Sequence, residues 1–163
     1  MTNNNIYIVA NWKMYGVLSS INTIKNVIKL SKKKGFRKAK IIYCPPYTLL
    51  RQFINKTNNT KISIGAQNCH TKNKYGSFTG SISASMIKNI GCKYVIIGHS
   101  ENRIVDNSEK KINLKIKSAL KEKLNVIFCI GETLSQKKNK KTNIILKKQL
   151  LNGLKGIKKI ENI

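Results

Sequence analysis

The sequence has few acidic residues, prolines, histidines and tryptophans, and these shortages narrow the classes of protein to which it can belong. Its 163 residues hold 6 Asp and Glu against 32 Lys and Arg, with two prolines, two histidines and one tryptophan. No apolar run approaches the ~18 residues that a membrane span needs. The start of the chain has no basic region followed by a long apolar one. We therefore expect neither membrane insertion nor secretion, and we predict a cytoplasmic protein.

Paired metal ligands and nucleotide-binding loops are also missing from the sequence. The four cysteines, Cys44, Cys69, Cys92 and Cys129, occur singly, which is typical of reduced thiols in a cytosolic protein. His70 follows Cys69, but no second pair of ligands accompanies them, so we predict no metal site. No glycine-rich phosphate loop of the G-x-x-x-x-G-K type is present either. The sequence gives no reason to expect a cofactor.

A large positive charge is the most conspicuous property that the sequence does have. The formal net charge is +26, supplied by 29 lysines and only 3 arginines. Lys, Asn and Ile together make 74 of the 163 residues, and all three are encoded by A/T-rich codons. Proteins that grip nucleic acid usually use arginine as well, because its planar fork binds phosphate and guanine at two points. We interpret the lysines as compositional drift with solvated faces, and predict no specific nucleic-acid partner.

Strand-like and helix-like segments alternate five times along the chain. Strands are predicted to start near residues 6, 40, 61, 94 and 125. Between them, apolar residues recur at helical spacing from Ser19 or Ser20 to a stop at Gly35, over 47–55, over 83–89, after Ser108 and over 142–154. This spacing is typical of strand–helix–strand units in a parallel sheet. We predict a single α/β domain over residues 1–163, built either as an open doubly wound sheet or as part of a (β/α) barrel.

Small or polar residues follow each predicted strand, where parallel α/β proteins place their active groups. Lys13 could offer an ammonium group to an anionic substrate, although most lysines are simply solvated. His99 lies where a helix could begin, which favours the neutral imidazole and lets it donate a hydrogen bond to a carbonyl; a purely structural histidine is the alternative. Glu101 and Glu132 are two of the few acids, and each could instead pair with a lysine.

Five motifs carry a resemblance to a known family over nearly the whole chain. They read Val9-Ala10-Asn11-Trp12-Lys13-Met14, Gly65-Ala66-Gln67-Asn68, Gly76-Ser77-Phe78-Thr79-Gly80, Ile97-Gly98-His99-Ser100-Glu101 and Cys129-Ile130-Gly131-Glu132. In their order and spacing they resemble the triosephosphate isomerase family. The resemblance implies a (β/α)8 TIM barrel that interconverts dihydroxyacetone phosphate and glyceraldehyde 3-phosphate, normally as a homodimer without a cofactor.

The resemblance also implies roles for individual residues. His99 would polarise the substrate carbonyl, and Lys13 would neutralise charge on the enediolate and the phosphate. Asn11 would help to bind substrate, and Glu101 would lie in the active site beside His99. Phe78 and Thr79 would belong to the loop through which two subunits associate.

The chain departs from the family in two respects. It holds five of the eight units that a complete barrel of about 250 residues needs, so the resemblance implies an incomplete barrel without the proton-shuttling glutamate, the lid and the C-terminal phosphate loops. Ser81 and Asn102 stand where the family usually has Glu and Arg that can pair across the dimer interface. We expect residues 1–163 alone to be inactive and poorly folded. The alternatives are a non-catalytic basic binding protein and a decayed remnant of the same fold.

Overall fold

The computed structural model describes residues 6–36, 38–105 and 108–163, and within them each of the five predicted strands is followed by one or two helices. The strands are β1 (Ile6–Asn11), β2 (Ala39–Cys44), β3 (Ile62–Ala66), β4 (Tyr94–Ile97) and β5 (Asn125–Phe128). The helices are α1 (Ile24–Ser31), α2 (Leu50–Thr57), α3 (Ala84–Asn89), α4 (Ser100–Val105), α5 (Glu109–Lys121), α6 (Leu134–Lys138) and α7 (Thr142–Gly153). Short 3-10 turns cover Leu18–Thr23, Lys34–Phe36 and Tyr47–Leu49.

The strands form one parallel sheet in the order β1-β2-β3-β4-β5. A doubly wound sheet reverses its strand order at a switch point, whereas a barrel adds each strand beside the preceding one. The sequential order therefore decides between the two predicted architectures in favour of the barrel type, and the five parallel strands form a half-barrel. The predicted α/β class with an incomplete barrel is confirmed.

Apolar residues alternate along the strands and divide the core in two. The larger part lies between the sheet and the helices, where Phe53, Val95, Ile97 and Ile116 are fully buried. A smaller cluster of Ile42, Cys44 and Ile96 lies on the opposite, concave face of the sheet. The helices therefore cover the convex face of the sheet. The residues that end each strand lie together at one rim of the half-barrel.

Side-chain caps fix two helix starts at the predicted places. The hydroxyl oxygens of Ser83 and Ser108 accept hydrogen bonds from the third backbone N–H of α3 and α5. The predicted stop at Gly35 is wrong, because α1 already ends at Ser31 and Gly35 lies in a separate 3-10 turn. Three consecutive lysines follow Ser31, and their charges are as compatible with a helix end as with a continued helix. The described residues contain no helix that is long and apolar enough to cross a membrane.

Candidate active site

Four of the predicted site residues meet at the carboxyl ends of β1 and β4. Asn11, Lys13, His99 and Glu101 line one open cleft of about 590 Å³. Tyr47, Gln67 and Asn68, which follow the intervening strands β2 and β3, complete the lining of the cleft. The cleft is therefore built from the ends of four neighbouring strands, as expected for a parallel α/β protein.

The backbone at Lys13 adopts a left-handed conformation that a residue with a side chain rarely takes. Its φ is +53°, and the turn is held from both sides. The Lys13 N–H donates to Oδ1 of Asn11 at 3.0 Å. The side-chain amide of Gln67 donates to the Lys13 carbonyl at 2.8 Å and to the Cys44 carbonyl at 2.9 Å. Local strain of this kind persists where the surroundings fix it, and here it aims the lysine into the cleft.

Lys13 and Glu101 form an ion pair across the cleft. Nζ of Lys13 lies 2.9 Å from Oε1 of Glu101, and each side chain is about half exposed, at 50% and 54%. The hydrogen bond to Glu101 raises the pKa of Lys13 above its ordinary value, and the same bond lowers the pKa of Glu101. Both groups are therefore charged across the neutral pH range.

His99 lies beside the Lys13–Glu101 ion pair, on the side that faces the end of β5. The backbone N–H of Glu101 donates to Nδ1 of His99 at 3.4 Å, and Oε2 of Glu101 lies at the same distance from Nδ1. An imidazole that accepts at Nδ1 carries its proton on Nε2. The histidine side chain is 24% exposed and lines two clefts at once. This arrangement leaves Nε2–H free to donate to a group in the cleft.

Arg103 holds the backbone next to His99 in place, a role that the sequence did not reveal. Its Nε donates to the Gly98 carbonyl at 2.7 Å and its Nη2 to the Cys129 carbonyl at 3.1 Å, while Nη1 pairs with Glu109. The guanidinium thus joins the end of β4 to the end of β5. Gly98 has a φ of +78°, and a Cβ there would lie 2.8 Å from the Cys129 carbonyl oxygen. One signal was available, since arginine is rare in a chain so rich in lysine.

Glu132, the other candidate acid, lies in an adjacent cleft and not with Lys13. That cleft, of about 560 Å³, lies between the ends of β4 and β5 and shares His99 with the first. The Thr142 hydroxyl donates to Oε1 of Glu132 at 3.3 Å. Gln149 holds the same loop, since its amide both donates to and accepts from the Gly131 backbone at 2.9 Å.

Phe78 and Thr79 lie on an exposed loop outside the Lys13 cleft. The Phe78 ring is 44% exposed and packs on the His70 imidazole, with ring centroids 4.5 Å apart. The base of this loop borders Tyr47 and Asn68, which also line the Lys13 cleft. The Tyr47 hydroxyl donates to the Asn68 carbonyl and so links the two regions.

The remaining thiols and acids form no second centre in the part of the chain that the structure describes. Burial raises the pKa of Cys44, Cys69 and Cys92 to about 12, so these thiols are protonated and unreactive near neutral pH. Within residues 6–36, 38–105 and 108–163, no three His, Cys, Asp or Glu side chains come close enough together to hold a metal ion.

Comparison with known proteins points in one direction. The model of the family described as triosephosphate isomerase matches residues 6–163. The chain is 44% identical over 147 residues to triosephosphate isomerase of Wolbachia pipientis wMel, a match that covers 90% of this chain and 58% of that protein. It is 42% identical over 158 residues to triosephosphate isomerase of Dictyoglomus thermophilum, covering 96% of this chain and 62% of the relative.

A solved structure gives the same result in three dimensions. The crystal structure of triosephosphate isomerase from Bartonella henselae superimposes with a TM-score of 0.90 at 35% identity, over 98% of this chain and 65% of that one. The chain thus spans about three fifths of the length of the curated relatives it matches.

Proposed function

The chain belongs to the triosephosphate isomerase family, and from this premise we propose that its cleft takes part in the interconversion of dihydroxyacetone phosphate and glyceraldehyde 3-phosphate. One observation carries the proposal: the ammonium group of Lys13, the imidazole of His99 and the carboxylate of Glu101 lie around one cleft. These groups suit a small anionic substrate with a carbonyl. The substrate and the reaction come from the family.

The proposed chemistry moves one proton between two neighbouring carbon atoms. A base removes a proton from the carbon beside the carbonyl, and the electron pair of that bond moves to the carbonyl oxygen. The hydroxyl proton on the neighbouring carbon then passes to this oxygen, and the first proton is delivered to the former carbonyl carbon as the new carbonyl forms beside it. Nε2–H of His99 donates to the oxygen on which charge develops, and such a donor lowers the barrier because it is already in place.

Lys13 serves both the bound substrate and the transition state. Its ammonium group attracts the phosphate and also lies near the developing enediolate charge. Asn11 holds the Lys13 backbone through the 3.0 Å hydrogen bond. Glu101 pairs with Lys13 through its carboxylate and donates its backbone N–H to Nδ1 of His99, so it positions both groups before substrate arrives.

The general base that removes the proton is not among these residues. By the resemblance to the family we expect it after a sixth strand, whereas the described sheet has five strands. Loss of a general base costs on the order of 10²–10⁴ in rate, and the lid and phosphate loops that exclude water also lie outside the five units. We therefore expect residues 1–163 alone to be inactive.

We also infer the assembly and the location of the protein from the family. We place the loop of Phe78 and Thr79 at the contact between two subunits of a complete homodimer, in the cytoplasm. Ser81 and Asn102 are both uncharged where the family usually carries a pair of opposite charges. Losing both partners leaves no buried orphan charge, which is milder than losing one.

The test uses residues 1–163 joined covalently to the part of the Bartonella henselae protein that lies outside the structural match, hereafter the fused chain. Isomerisation is followed with a coupled assay. We expect His99→Ala to lower kcat by on the order of 10²–10⁴, and Lys13→Ala to raise KM and lower kcat. Lys25→Ala, on the exposed surface of α1, is the matched control. A fused chain that folds but shows no turnover, or turnover unaffected by His99→Ala, would overturn the proposal.

A further inference from the structure

Lysines gather at the rim of the sheet where the strands begin, which is the end away from the Lys13 cleft. A lysine lies one or two positions before each of the four strands β2 to β5; these residues, called here the lysine row, are Lys38, Lys61, Lys93 and Lys123. All four side chains are exposed. The register of the strands places the Cα atoms of neighbouring members of the row roughly 6–11 Å apart. The row therefore runs without a gap across four adjacent strands.

Several helices end at the same rim, because each returns the chain to the start of the next strand. Lysines lie in the last turn of α2, α3 and α5 and directly after α1; they are Lys56, Lys88, Lys121, Lys32 and Lys33. A cation near a helix C-terminus offsets the negative end of the helix dipole, an effect confined to the last turn. The Lys88 ammonium donates to the Lys123 carbonyl at 3.0 Å. The dipole thus accounts for this outer set, whereas the lysine row lies beyond the helix ends.

Two acids lie near the lysine row, and neither is paired with it. Oε1 of Glu122 accepts a hydrogen bond from the side-chain amide of Asn73 at 2.8 Å. Glu161 precedes Asn162, whose carbonyl accepts the Val126 N–H at the edge of β5, and it lines the concave face of the sheet. Among the described residues, no ion pair joins a carboxylate to the row, whereas the two cations described at the cleft end both have carboxylate partners. The positive charge of the row is therefore uncompensated there.

The shape and chemistry of this rim suit a flexible chain of phosphates. The strand starts of a half-barrel follow a curve, which a single-stranded nucleic acid can follow and a stiff duplex cannot over so short a length. Membrane-bound surfaces usually add apolar side chains to their basic ones. The described parts of the rim turns, over 32–38, 56–61, 88–93 and 121–124, expose no large apolar side chain. Lysine binds phosphate as a point charge, without the planar fork with which arginine reads bases.

From these observations we propose that the lysine row binds the phosphate backbone of single-stranded nucleic acid without regard to base sequence. Successive phosphates contact the ammonium groups along the row and release their counterions. Binding that ignores the sequence agrees with the scarcity of arginine in the chain. The Lys13 cleft lies at the other end of the strands, so a bound nucleic acid leaves it open. The inference rests on the charge and the topology of this chain and is independent of the isomerase proposal.

The binding test uses the 163-residue chain and the fused chain in parallel, with a short fluorescent oligouridine as the probe. Fluorescence anisotropy is measured between about 50 and 200 mM salt. We expect saturable binding, with the logarithm of the affinity falling linearly with the logarithm of the salt concentration by about 0.7 for each phosphate contacted. Vesicles of phosphatidylserine and phosphatidylcholine at the same phosphate concentration test the membrane alternative. Absence of saturable binding, or tighter binding to the vesicles, overturns the proposal.

The position test compares two sets of four substitutions that lower the net charge equally. One set changes the whole lysine row to glutamine. The other changes four exposed lysines between β5 and α7, away from the row, and consists of Lys137→Gln, Lys138→Gln, Lys140→Gln and Lys141→Gln. We expect the first set to weaken oligouridine binding by about tenfold or more and to reduce the salt slope by about 3, and the second to change the affinity by less than about threefold. Equal effects of the two sets overturn the proposal.

Acetylation of lysines provides a second readout on the unsubstituted chain. Mass spectrometry measures the extent of acetylation at each lysine with and without bound oligouridine. We expect slower acetylation of the lysine row in the complex and no change at the four control lysines. Protection spread evenly over all lysines, or confined to the control lysines, contradicts the proposal. No substrate is present, so the outcome is independent of the isomerase assay.

Discussion

The side-chain amide of Gln67 supports the backbone of Lys13 from the neighbouring part of the sheet, with 2.8 Å between Nε2 and the Lys13 carbonyl oxygen. The same nitrogen reaches the Cys44 carbonyl at 2.9 Å. One amide therefore joins the segments that follow β1 and β2 to its own position after β3. The left-handed turn that presents the Lys13 ammonium depends on this contact.

Replacing Gln67 by leucine should loosen that turn. Two hydrogen bonds are lost and two carbonyls lose a donor, so we expect the free energy of unfolding of the fused chain to fall by about 1–2 kcal/mol. The kcat should fall as well, since Lys13 is less well positioned. Gln52→Leu on α2 is the control and should change stability by less than about 0.5 kcal/mol. Urea denaturation and the coupled assay measure both effects, and equal losses in the two variants would contradict this role.

Three glycine-to-alanine substitutions separate backbone strain from steric clash. Gly131 has open space around a Cβ, and its replacement should change stability by about 0.5 kcal/mol or less. Gly80 also has open space but a φ of +78°, so alanine should cost about 1–2 kcal/mol. Gly98 has the same φ and a carbonyl 2.8 Å from the Cβ position. Gly98→Ala should therefore be the most destabilising of the three in thermal unfolding, and a smaller loss than for Gly80→Ala would show that the neighbouring strand yields easily.

The support behind His99 can be tested through Arg103. Its side chain is 12% exposed, and Arg103→Met removes the donors to two carbonyls and leaves Glu109 without its cation. We expect a loss of about 2–4 kcal/mol in unfolding free energy of the fused chain. The double variant Arg103→Met with Glu109→Met should recover part of this loss, because no unpaired carboxylate remains. A double variant that is less stable than the sum of the two single losses would contradict the explanation.

The Lys13–Glu101 pair predicts in which direction the stability of the fold changes with pH. The pKa of Glu101 is lowered in the fold, so its contribution to stability is present above its ordinary value of 4.5 and is lost as the pH falls through the lowered value. The pKa of Lys13 is raised, so its contribution is lost only as the pH rises through a value above 10.5. A carboxyl NMR titration should place the Glu101 midpoint below 4.5. In Lys13→Met that midpoint should move up, and an unchanged midpoint would refute the pairing.

Much of the fold was predictable from the sequence, because apolar periodicity and turn residues are local. The predicted strand starts near 40 and 61 differ by one residue from Ala39 and Ile62, and those near 6, 94 and 125 agree with the structure. Helix α6 was missed because it is short and rich in lysine, although Thr133 and Gln136 form a capping box that marks its start. Apolar periodicity left two architectures open, and the sequential strand order, a property of the whole sheet, decides between them.

The candidate site, too, was predictable from the sequence only in part. Lys13, His99 and Glu101 follow strands and carry recognisable motifs, so their proximity could be expected. The supporting contacts could not, because Gln67 reaches a carbonyl 54 positions away and Arg103 one 26 positions away. Such contacts depend on side-chain reach across folded strands, which hydrophobic spacing does not encode. The left-handed backbone of Lys13 was equally hidden, since lysine carries no preference for it.

The sequential order of the strands also bears on how the chain is made. Each strand pairs with the one that follows it in the sequence, so no pairing within the sheet waits for a distant segment. A ribosome releases the chain from its N-terminus at about 5–20 residues per second, which is slow compared with local strand and helix formation. β1 and β2 can therefore pair before β5 has been translated, and each emerging strand–helix unit covers the edge exposed by its predecessor. The sheet can grow in the order of synthesis, and each new edge beyond β1 is exposed only until the next strand pairs with it.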